Sequence, residues 1–223
     1  FKQLILFGVI LYYFCKNYFM KKRVLIYIEV ALVLFLIYQF FLKKPKQNNP
    51  SETINFKPVK HSKQFDEEIS NVVTSYLNLK NAFVEADTVE IKLKNKEFIA
   101  ALEKIDTTEL RKDTSSIFET AMSTINDVKA NAISLNNQSD IIEMRKDFSS
   151  LTDMMFPSFF YAINYEGPTL YLQNCPMAFD DSIPANWISN SQEIMNPYLG
   201  KKHPKYQSGM VNCGEVKDSI TAQ

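Results

Sequence analysis

Apolar residues recur at spacings of three and four through residues 65–160, which is the period of an amphipathic helix. Four such stripes follow one another and are joined by short polar links. Three of the four helices are expected to start at an Asp-x-x-Glu motif, because the aspartate can cap the helix N-terminus and the glutamate can reach back to the cap. These motifs are Asp87 with Glu90, Asp106 with Glu109, and Asp140 with Glu143. Together the stripes and motifs predict a mainly α fold, an antiparallel four-helix bundle.

The stripes also predict which side chains form the core. In chain order they are Ile69, Val72, Val73, Tyr76, Phe83 and Val84; Phe98, Ala101, Leu102 and Ile105; Ile117, Ala121, Ile125, Val128 and Ala132; and Ile141, Met144, Phe148, Leu151, Met155 and Phe159. Pro157 lies inside the last stripe and is expected to bend or end the fourth helix, or to force a restart, because proline lacks a backbone N–H and clashes with the preceding turn. The methionine and aromatic residues of the stripes are interpreted as core packing.

A separate apolar run occupies residues 24–42, before the predicted bundle. As a helix it is long enough to cross a hydrocarbon layer of about 30 Å. Residues 20–42 are therefore predicted to be a transmembrane anchor or signal-anchor. A cleavable signal peptide is the competing interpretation, although its apolar part is usually shorter and ends in small residues. Basic residues at 21–23 precede the run, which predicts an inner-membrane, single-pass protein with its C-terminal domain in the periplasm.

The segments on either side of this run are not expected to belong to the folded domain. Residues 1–19 precede Met20 and its basic residues, so they are interpreted as an over-extended N-terminus, with a second short apolar segment as the alternative. Residues 43–64 are polar and proline-containing, which predicts a flexible tether. His61 lies in this tether and is expected to be solvated, and the folded domain is expected to begin near Phe65.

Composition and charge argue against several functions. Lys and Arg together number 25, as do Asp and Glu, so no net charge attracts the chain to nucleic acid. The chain has only 5 glycines and no glycine-rich phosphate-binding motif. Its 2 histidines form no Ser/His/Asp pattern, and the pair Asp180 and Asp181 is interpreted as turn residues. We therefore expect no nucleic-acid partner, no cofactor-binding motif and no enzymatic activity.

The predicted domain, residues 65–223, changes character after Gly167-Pro168. Residues 168–220 are expected to form a small loop/β cap in which two extended pieces, 169–177 and 208–219, lie side by side. Each piece carries one cysteine, and the segment between them, which contains Trp187, is expected to be mostly loop. The two cysteines should therefore be close in space.

Two interpretations of Cys175 and Cys213 remain open from the residues alone. In an oxidising compartment, two such thiols most often form a structural disulfide. Alternatively, thiolate and thioether groups are the soft ligands that suit Cu(I). Residues two apart on a strand share a face, so Met177 could join Cys175, while Met210 would accompany Cys213. His203, in a nearby loop, is a fifth candidate metal ligand.

Four motifs follow one another in the C-terminal sequence: Cys175-Pro176-Met177-Ala178, Trp187-Ile188-Ser189, Asn196-Pro197-Tyr198-Leu199-Gly200 and Met210-Val211-Asn212-Cys213-Gly214. In this order they resemble the C-terminal motifs of a known family, the domain of unknown function 3347. Earlier stretches at residues 72–87 and 144–156 are similar to its first and fourth helical segments. Such domains occur as exported proteins and attached to periplasmic adaptors of copper and silver efflux systems.

The resemblance implies heavy-metal binding at Cys175, Met177, Met210 and Cys213, with copper as the expected metal and heavy-metal efflux components as partners. The expected function is therefore that of a membrane-anchored periplasmic copper-binding accessory protein. The alternative is a non-catalytic interaction module with a Cys175–Cys213 disulfide and no metal.

Overall fold

The computed structural model of the protein describes residues 59–222. The expected over-extended start, the anchor and most of the tether fall on residues 1–58, outside the described residues. The described part is mainly helical and carries a small three-stranded antiparallel sheet towards its C-terminal end. Within residues 59–222 no helix is both long and apolar enough to cross a membrane.

The elements follow one another in this order. The helices are α1 (Lys63–Glu85), α2 (Thr88–Glu103), α3 (Thr107–Leu110), α4 (Ser115–Asn137), α5 (Ile141–Met154), a π-helical turn (Met155–Phe159) and α6 (Phe160–Ala162). The strands are β1 (Leu170–Phe179), β2 (Ile183–Ser189) and β3 (Glu215–Ile220).

Two of the three predicted helix starts are confirmed. The side chains of Asp87 and Asp140 accept hydrogen bonds from the backbone N–H groups two and three residues further on, at the beginnings of α2 and α5. The glutamates of these motifs do not complete the expected capping box. They form ion pairs with Lys94 and Lys146 on the surfaces of their own helices. The aspartate alone therefore fixes each helix start.

The third predicted start is wrong in its extent. Asp106 caps only the four-residue α3, and the long third helix begins separately at Ser115. The end of α3 and the loop that follows it bind the residues directly before α1. Asp113 accepts a hydrogen bond from the Val59 N–H (2.9 Å), and Glu109 accepts one from the Ser62 N–H (3.1 Å). Continuing α3 into α4 would remove this loop and its contacts.

The expectation of a solvated His61 is also wrong. Its side chain is 0% exposed, and Nε2 lies 3.4 Å from Oδ2 of the equally buried Asp113. The imidazole also packs on the ring of Phe65, with 4.5 Å between centroids. Because Ser62 caps α1 and the residues before it pack on the α3–α4 loop, ordered structure begins before Phe65.

The helical core is largely the predicted one. Every residue of the four stripes is buried except Ile117 and Ile141, which are partly exposed. Helix α1 packs on α2, α2 on α4, and α4 on α5, while α5 also contacts β2. The buried hydroxyl of Tyr76 connects these layers, because it bonds to Thr152 on α5 (2.6 Å) and accepts from the Ile188 N–H on β2 (3.1 Å).

Pro157 ends the regular part of the fourth helix, as predicted. α5 stops at Met154, and Phe156 has non-helical backbone angles, φ −110° and ψ 127°. This is the extended conformation that a proline imposes on the residue before it. The helical direction is lost at this point, and only the three-residue α6 follows.

The sheet has the order β2-β1-β3, with both pairings antiparallel. Asp180 and Asp181 have positive φ angles of 49° and 58°, and together with Ser182 they form the short connection between β1 and β2. Their predicted role as turn residues is confirmed. The predicted loop around Trp187 is wrong, because this residue lies in β2 opposite Gln173 of β1. The second extended piece is only half right, since residues before Glu215 form turns.

Candidate metal site in the C-terminal cap

Cys175 lies on β1, the central strand of the sheet, and is fully buried. It pairs with Ala185 of β2. The register between β1 and β2 then shifts before Phe179 pairs with Ile183, which marks an irregularity in β1 directly after Cys175. The first cysteine is thus held by a regular ladder on one side and a bulged stretch on the other.

Cys213 lies in a tight turn just before β3, where it is partly exposed. Its backbone N–H donates to the carbonyl oxygen of Met210 at 3.0 Å, which closes a four-residue turn. A turn of this kind brings its first and last Cα atoms to within about 7 Å. Met210 and Cys213 therefore lie close together through local backbone geometry.

Asn196 fixes this turn to the rest of the cap. It is fully buried, and its Nδ2 donates to the carbonyl oxygen of Cys213 at 2.7 Å. Its backbone N–H donates to the carbonyl oxygen of Val211 (2.8 Å), and its Oδ1 accepts from the N–H groups of Tyr198 (2.8 Å) and Leu199 (2.9 Å). We identify Asn196 as a positioning residue for Cys213. In the sequence, Asn196 is part of the Asn-Pro-Tyr motif, which gives no indication of this role.

Gly214 allows the turn to approach the sheet closely. Its φ of +147° lies where side-chain-bearing residues are rarely found. A Cβ atom here would lie 2.8 Å from the carbonyl oxygen of Asn174 and 2.8 Å from Cη2 of Trp187. A glycine after Cys213 is therefore required for the turn to pack beside β1 and β2.

The sulfur atoms of Cys175 and Cys213 lie 3.6 Å apart, and both residues are free thiols. The prediction that the two cysteine segments meet is confirmed. Burial, together with the adjacent Cys175 thiol, raises the pKa of Cys213 to about 11. A reactive cysteine requires the opposite shift, usually from a nearby positive charge. The pair is better suited to binding a soft ion than to nucleophilic catalysis.

The two predicted methionine ligands are near the pair in the chain, and their roles stay predictions. Met177 and Met210 are both partly buried and pack against the same hydrophobic core as Cys213. Met177, however, falls in the bulged stretch between Cys175 and Phe179. The simple alternation that would place Met177 on the same face as Cys175 is interrupted there.

His203 belongs to a separate local arrangement. Its Nδ1 accepts hydrogen bonds from the N–H groups of Lys205 and Tyr206, both at 3.3 Å, and its ring stacks on Tyr206. Burial, followed by the charge of Arg145, lowers the pKa of His203. A neutral imidazole that accepts hydrogen bonds through Nδ1 has no free nitrogen lone pair for a metal.

In the part of the chain that the structure describes, no group of three or more His, Cys, Asp or Glu side chains is placed to hold a metal ion. A metal bound at the cysteine pair would therefore depend on two thiolates, with thioether sulfur to add to them. Such a set favours Cu(I) over Mg²⁺ or Ca²⁺, which take oxygen ligands. The donor set fits a soft monovalent ion.

Fold and site together define a mainly helical domain whose C-terminal cap brings a buried thiol on β1 next to a partly exposed thiol in the turn before β3. Residues 72–160 match the model of a family described as "Protein of unknown function (DUF3347)", and this segment of the chain is similar to that family. The match runs from α1 to the first residue of α6, so the four C-terminal motifs lie beyond it. Neither the curated proteins nor the solved structures contain a significant match.

Proposed function

We propose that the protein is a membrane-anchored periplasmic accessory protein that binds a heavy metal, copper, as Cu(I). Cys175 and Cys213 supply the main ligands, and it takes up or hands on the ion outside the inner membrane. The observation that carries the proposal is the 3.6 Å separation of two free thiols contributed by distant parts of the chain. The membrane anchor at residues 20–42 and an efflux component as partner rest on the sequence and the family resemblance.

The surroundings of the two sulfur atoms support a soft ion. Cys175 is fully buried on β1, and Trp187 packs beside the turn that carries Cys213. The buried Cys175 sulfur is shielded from water, and thiolate sulfur is a ligand that suits Cu(I) better than hard cations. Cys213 is partly exposed, which provides a side from which the ion can enter and leave.

The methionines are proposed as auxiliary ligands. Met210 shares a turn with Cys213, so its thioether can reach the same ion with a change of rotamer. Met177 follows Cys175 by two residues and lies in the bulged stretch of β1, from which its thioether would bind the ion. His203 is the weakest candidate, because the backbone N–H groups of Lys205 and Tyr206 already occupy its Nδ1.

Metal binding should release protons from this site. Burial raises the pKa of Cys213 to about 11, so its side chain is a neutral thiol at neutral pH and must lose its proton to bind a metal. The apparent affinity for Cu(I) should therefore rise with pH between 6 and 9, about tenfold per pH unit for each proton released. An affinity independent of pH over this range would show that the Cys213 thiolate is not a ligand.

The direct test is a competition titration of the full chain with Cu(I) and a chromophoric Cu(I) chelator under reducing, anaerobic conditions. A Cys15→Ser background removes the one cysteine outside the described residues. We expect one Cu(I) per chain. Cys175→Ser and Cys213→Ser should each lower the affinity at least tenfold, and His203→Ala should change it little.

The same preparation distinguishes the alternative, an interaction module with a structural disulfide. Purified under oxidising conditions, the Cys15→Ser protein is alkylated with and without prior reduction, and its mass is measured. Cysteines that resist alkylation until they are reduced, together with no stoichiometric Cu(I) complex in the reduced protein, would favour the disulfide and exclude the metal.

A further inference from the structure

A second site lies in the helical region, between the start of α4, the irregular segment after α5 and the end of β3. It is a cavity of about 610 Å³, here called the neutral pocket, whose wall includes Ser116, Thr120, Ser158, Phe160, Tyr161 and Ile220. Neither cysteine of the candidate metal site is among its lining residues. The pocket is therefore independent of the proposed copper site.

The irregular chain after α5 explains why this space exists. α4 packs on α5, but α5 stops at Met154, and only the π-helical turn and α6 continue along the first turns of α4. These short elements cannot cover α4 as a full helix would. Ile117, which the sequence places on the core stripe of α4, is only partly buried and lines the cavity.

The chemistry of the wall selects against charged ligands. None of the residues lining the neutral pocket has a charged side chain. Phe160, Tyr165 and Ile220 are buried and provide apolar surface, while Ser116, Thr120 and other residues add hydroxyl groups. Moving a charged group from water into such a space without an opposite charge is costly, whereas a neutral group can bond to hydroxyls.

Tyr161 indicates the kind of apolar surface that would fit. Tyr161 is 56% exposed at the wall, so its ring is accessible to a ligand in the pocket. An aromatic ring entering the pocket can pack on it by stacking or edge contact. The volume lies within the range of about 300–1,000 Å³ that is typical of small-molecule sites.

We propose that the neutral pocket binds an uncharged aromatic or alicyclic small molecule that carries a hydroxyl or ether group. The ring system would occupy the apolar wall and pack on Tyr161, and the oxygen would bond to a serine hydroxyl such as that of Ser158. The Thr120 hydroxyl donates to the Ser116 carbonyl oxygen (2.8 Å), so it can only accept from a ligand hydroxyl. This activity is separate from metal binding, since no sulfur ligand takes part.

The test uses 4-fluoro-4′-hydroxybiphenyl, a neutral aromatic alcohol, and follows its fluorine NMR signal as the full chain is added. The matched charged probe is 4′-fluorobiphenyl-4-carboxylate. The full chain is kept in detergent, and blanks contain the same detergent without protein. We expect a saturable shift for the neutral probe above the blank and at least tenfold weaker binding of the carboxylate. Equal binding of both probes, or no saturable signal above the blank, would overturn the proposal.

Two variants locate the binding. Thr120→Trp and Ser158→Trp each add a bulky ring at an exposed position of the wall and should weaken binding of the neutral probe at least tenfold. Asn126→Trp, at an exposed α4 position outside the pocket, is the matched control and should bind as the unmodified chain does. If both filling variants keep the original affinity while their thermal unfolding is unchanged, the ligand does not occupy this pocket.

Discussion

The helical region and the C-terminal cap are built from contacts of different range. In α1, α2, α4 and α5, side chains three and four residues apart share a face, and that local spacing decides which of them enter the core. In the cap, the decisive contacts join residues far apart in sequence, such as Cys175 and Cys213, which are 38 positions apart. The candidate metal site therefore depends on contacts between residues that are distant in sequence. Substitutions in the cap should change both the stability and the thiol pair, whereas substitutions in the helical region should change the stability alone.

The largest effect is expected from removing a fully buried ring in either region. Trp187→Ala in β2 and Phe98→Ala in α2 each delete a side chain that is 0% exposed, so each should cost about 3–5 kcal/mol of unfolding free energy. Only Trp187 lies beside Gly214 and the turn of Cys213. In a Cys15→Ser background, Trp187→Ala should therefore also speed the reaction of the remaining thiols with a disulfide reagent, measured in native buffer.

Phe98→Ala is the matched control for this prediction, since it removes a buried ring outside the cap. Its unfolding, followed by circular dichroism, should shift by a similar amount while the thiol reaction rate under native conditions stays close to that of the unmodified chain. Equal acceleration in both variants would mean that the cap has no packing of its own around the thiols.

The next effect is expected at Gly214. A Cβ atom at this positive φ would press on Asn174 and Trp187, so Gly214→Ala should cost about 1–3 kcal/mol and separate the two thiols. Gly209→Ala is the control in the same loop, because Gly209 does not have such a φ and its added Cβ would meet only the Tyr206 carbonyl oxygen, at 3.1 Å. Thermal unfolding and Cu(I) titration of both variants measure the difference. Similar losses of stability and Cu(I) affinity in both variants would show that position 214 does not specifically require glycine.

A smaller loss of stability should follow Asn196→Ala, at about 1–2 kcal/mol. The change leaves the Cys213 carbonyl oxygen and the N–H groups of Tyr198 and Leu199 without their side-chain partner. Because these bonds hold the Cys213 turn, Cu(I) affinity should fall together with stability. Asn212→Ala, which loses one exposed bond to the Ile194 carbonyl oxygen, should have a weaker effect on both. The reverse order of the two variants would contradict the role assigned to Asn196.

The smallest change in stability is expected for Met210→Leu, since the volume and apolarity of the side chain are kept and the cost should stay below about 1.5 kcal/mol. Its Cu(I) affinity should nevertheless fall, because leucine has no thioether. Met154→Leu, a partly buried methionine on α5, is the control and should change neither property. Unchanged affinity in Met210→Leu would exclude Met210 from the site.

Much of the helical region could be predicted from local sequence. The stripe that contains Val72 and Tyr76 marks the buried face of α1, and Asp87 and Asp140 cap the helices that they were expected to cap. Pro157 also ends its helix as expected. Each of these effects arises from residues within about one helical turn, which is the range over which a single sequence is informative.

Two of the failures involve partners that lie outside that range. His61 looked solvated because its neighbours in sequence are polar, but Asp113, more than fifty residues later, buries it. Trp187 was expected to lie in a loop, because its own sequence neighbours do not show that it pairs with Gln173 of β1. The aspartate pair at 180–181 was the available signal for this strand, because turn residues after one strand predict a second, antiparallel strand after the turn.

For the candidate site, the sequence identified the two cysteines and their proximity but not the structure around them. The expectation that Met177 shares a face with Cys175 assumed an unbroken strand, whereas the register shifts directly after Cys175. Asn196 and Gly214 hold the second cysteine in place through contacts that appear only once the chain is folded. His203 was nominated by residue type, and its own loop occupies its Nδ1.

X-ray absorption spectroscopy of the Cu(I)-loaded full chain in a Cys15→Ser background identifies the atoms that bind the copper ion. If the cap holds copper through its paired thiols, the nearest neighbours of the metal should be sulfur atoms only, and Cys213→Ser should remove one of them. Nearest neighbours that are mainly nitrogen or oxygen, or a sulfur count that is the same in both proteins, would contradict the account.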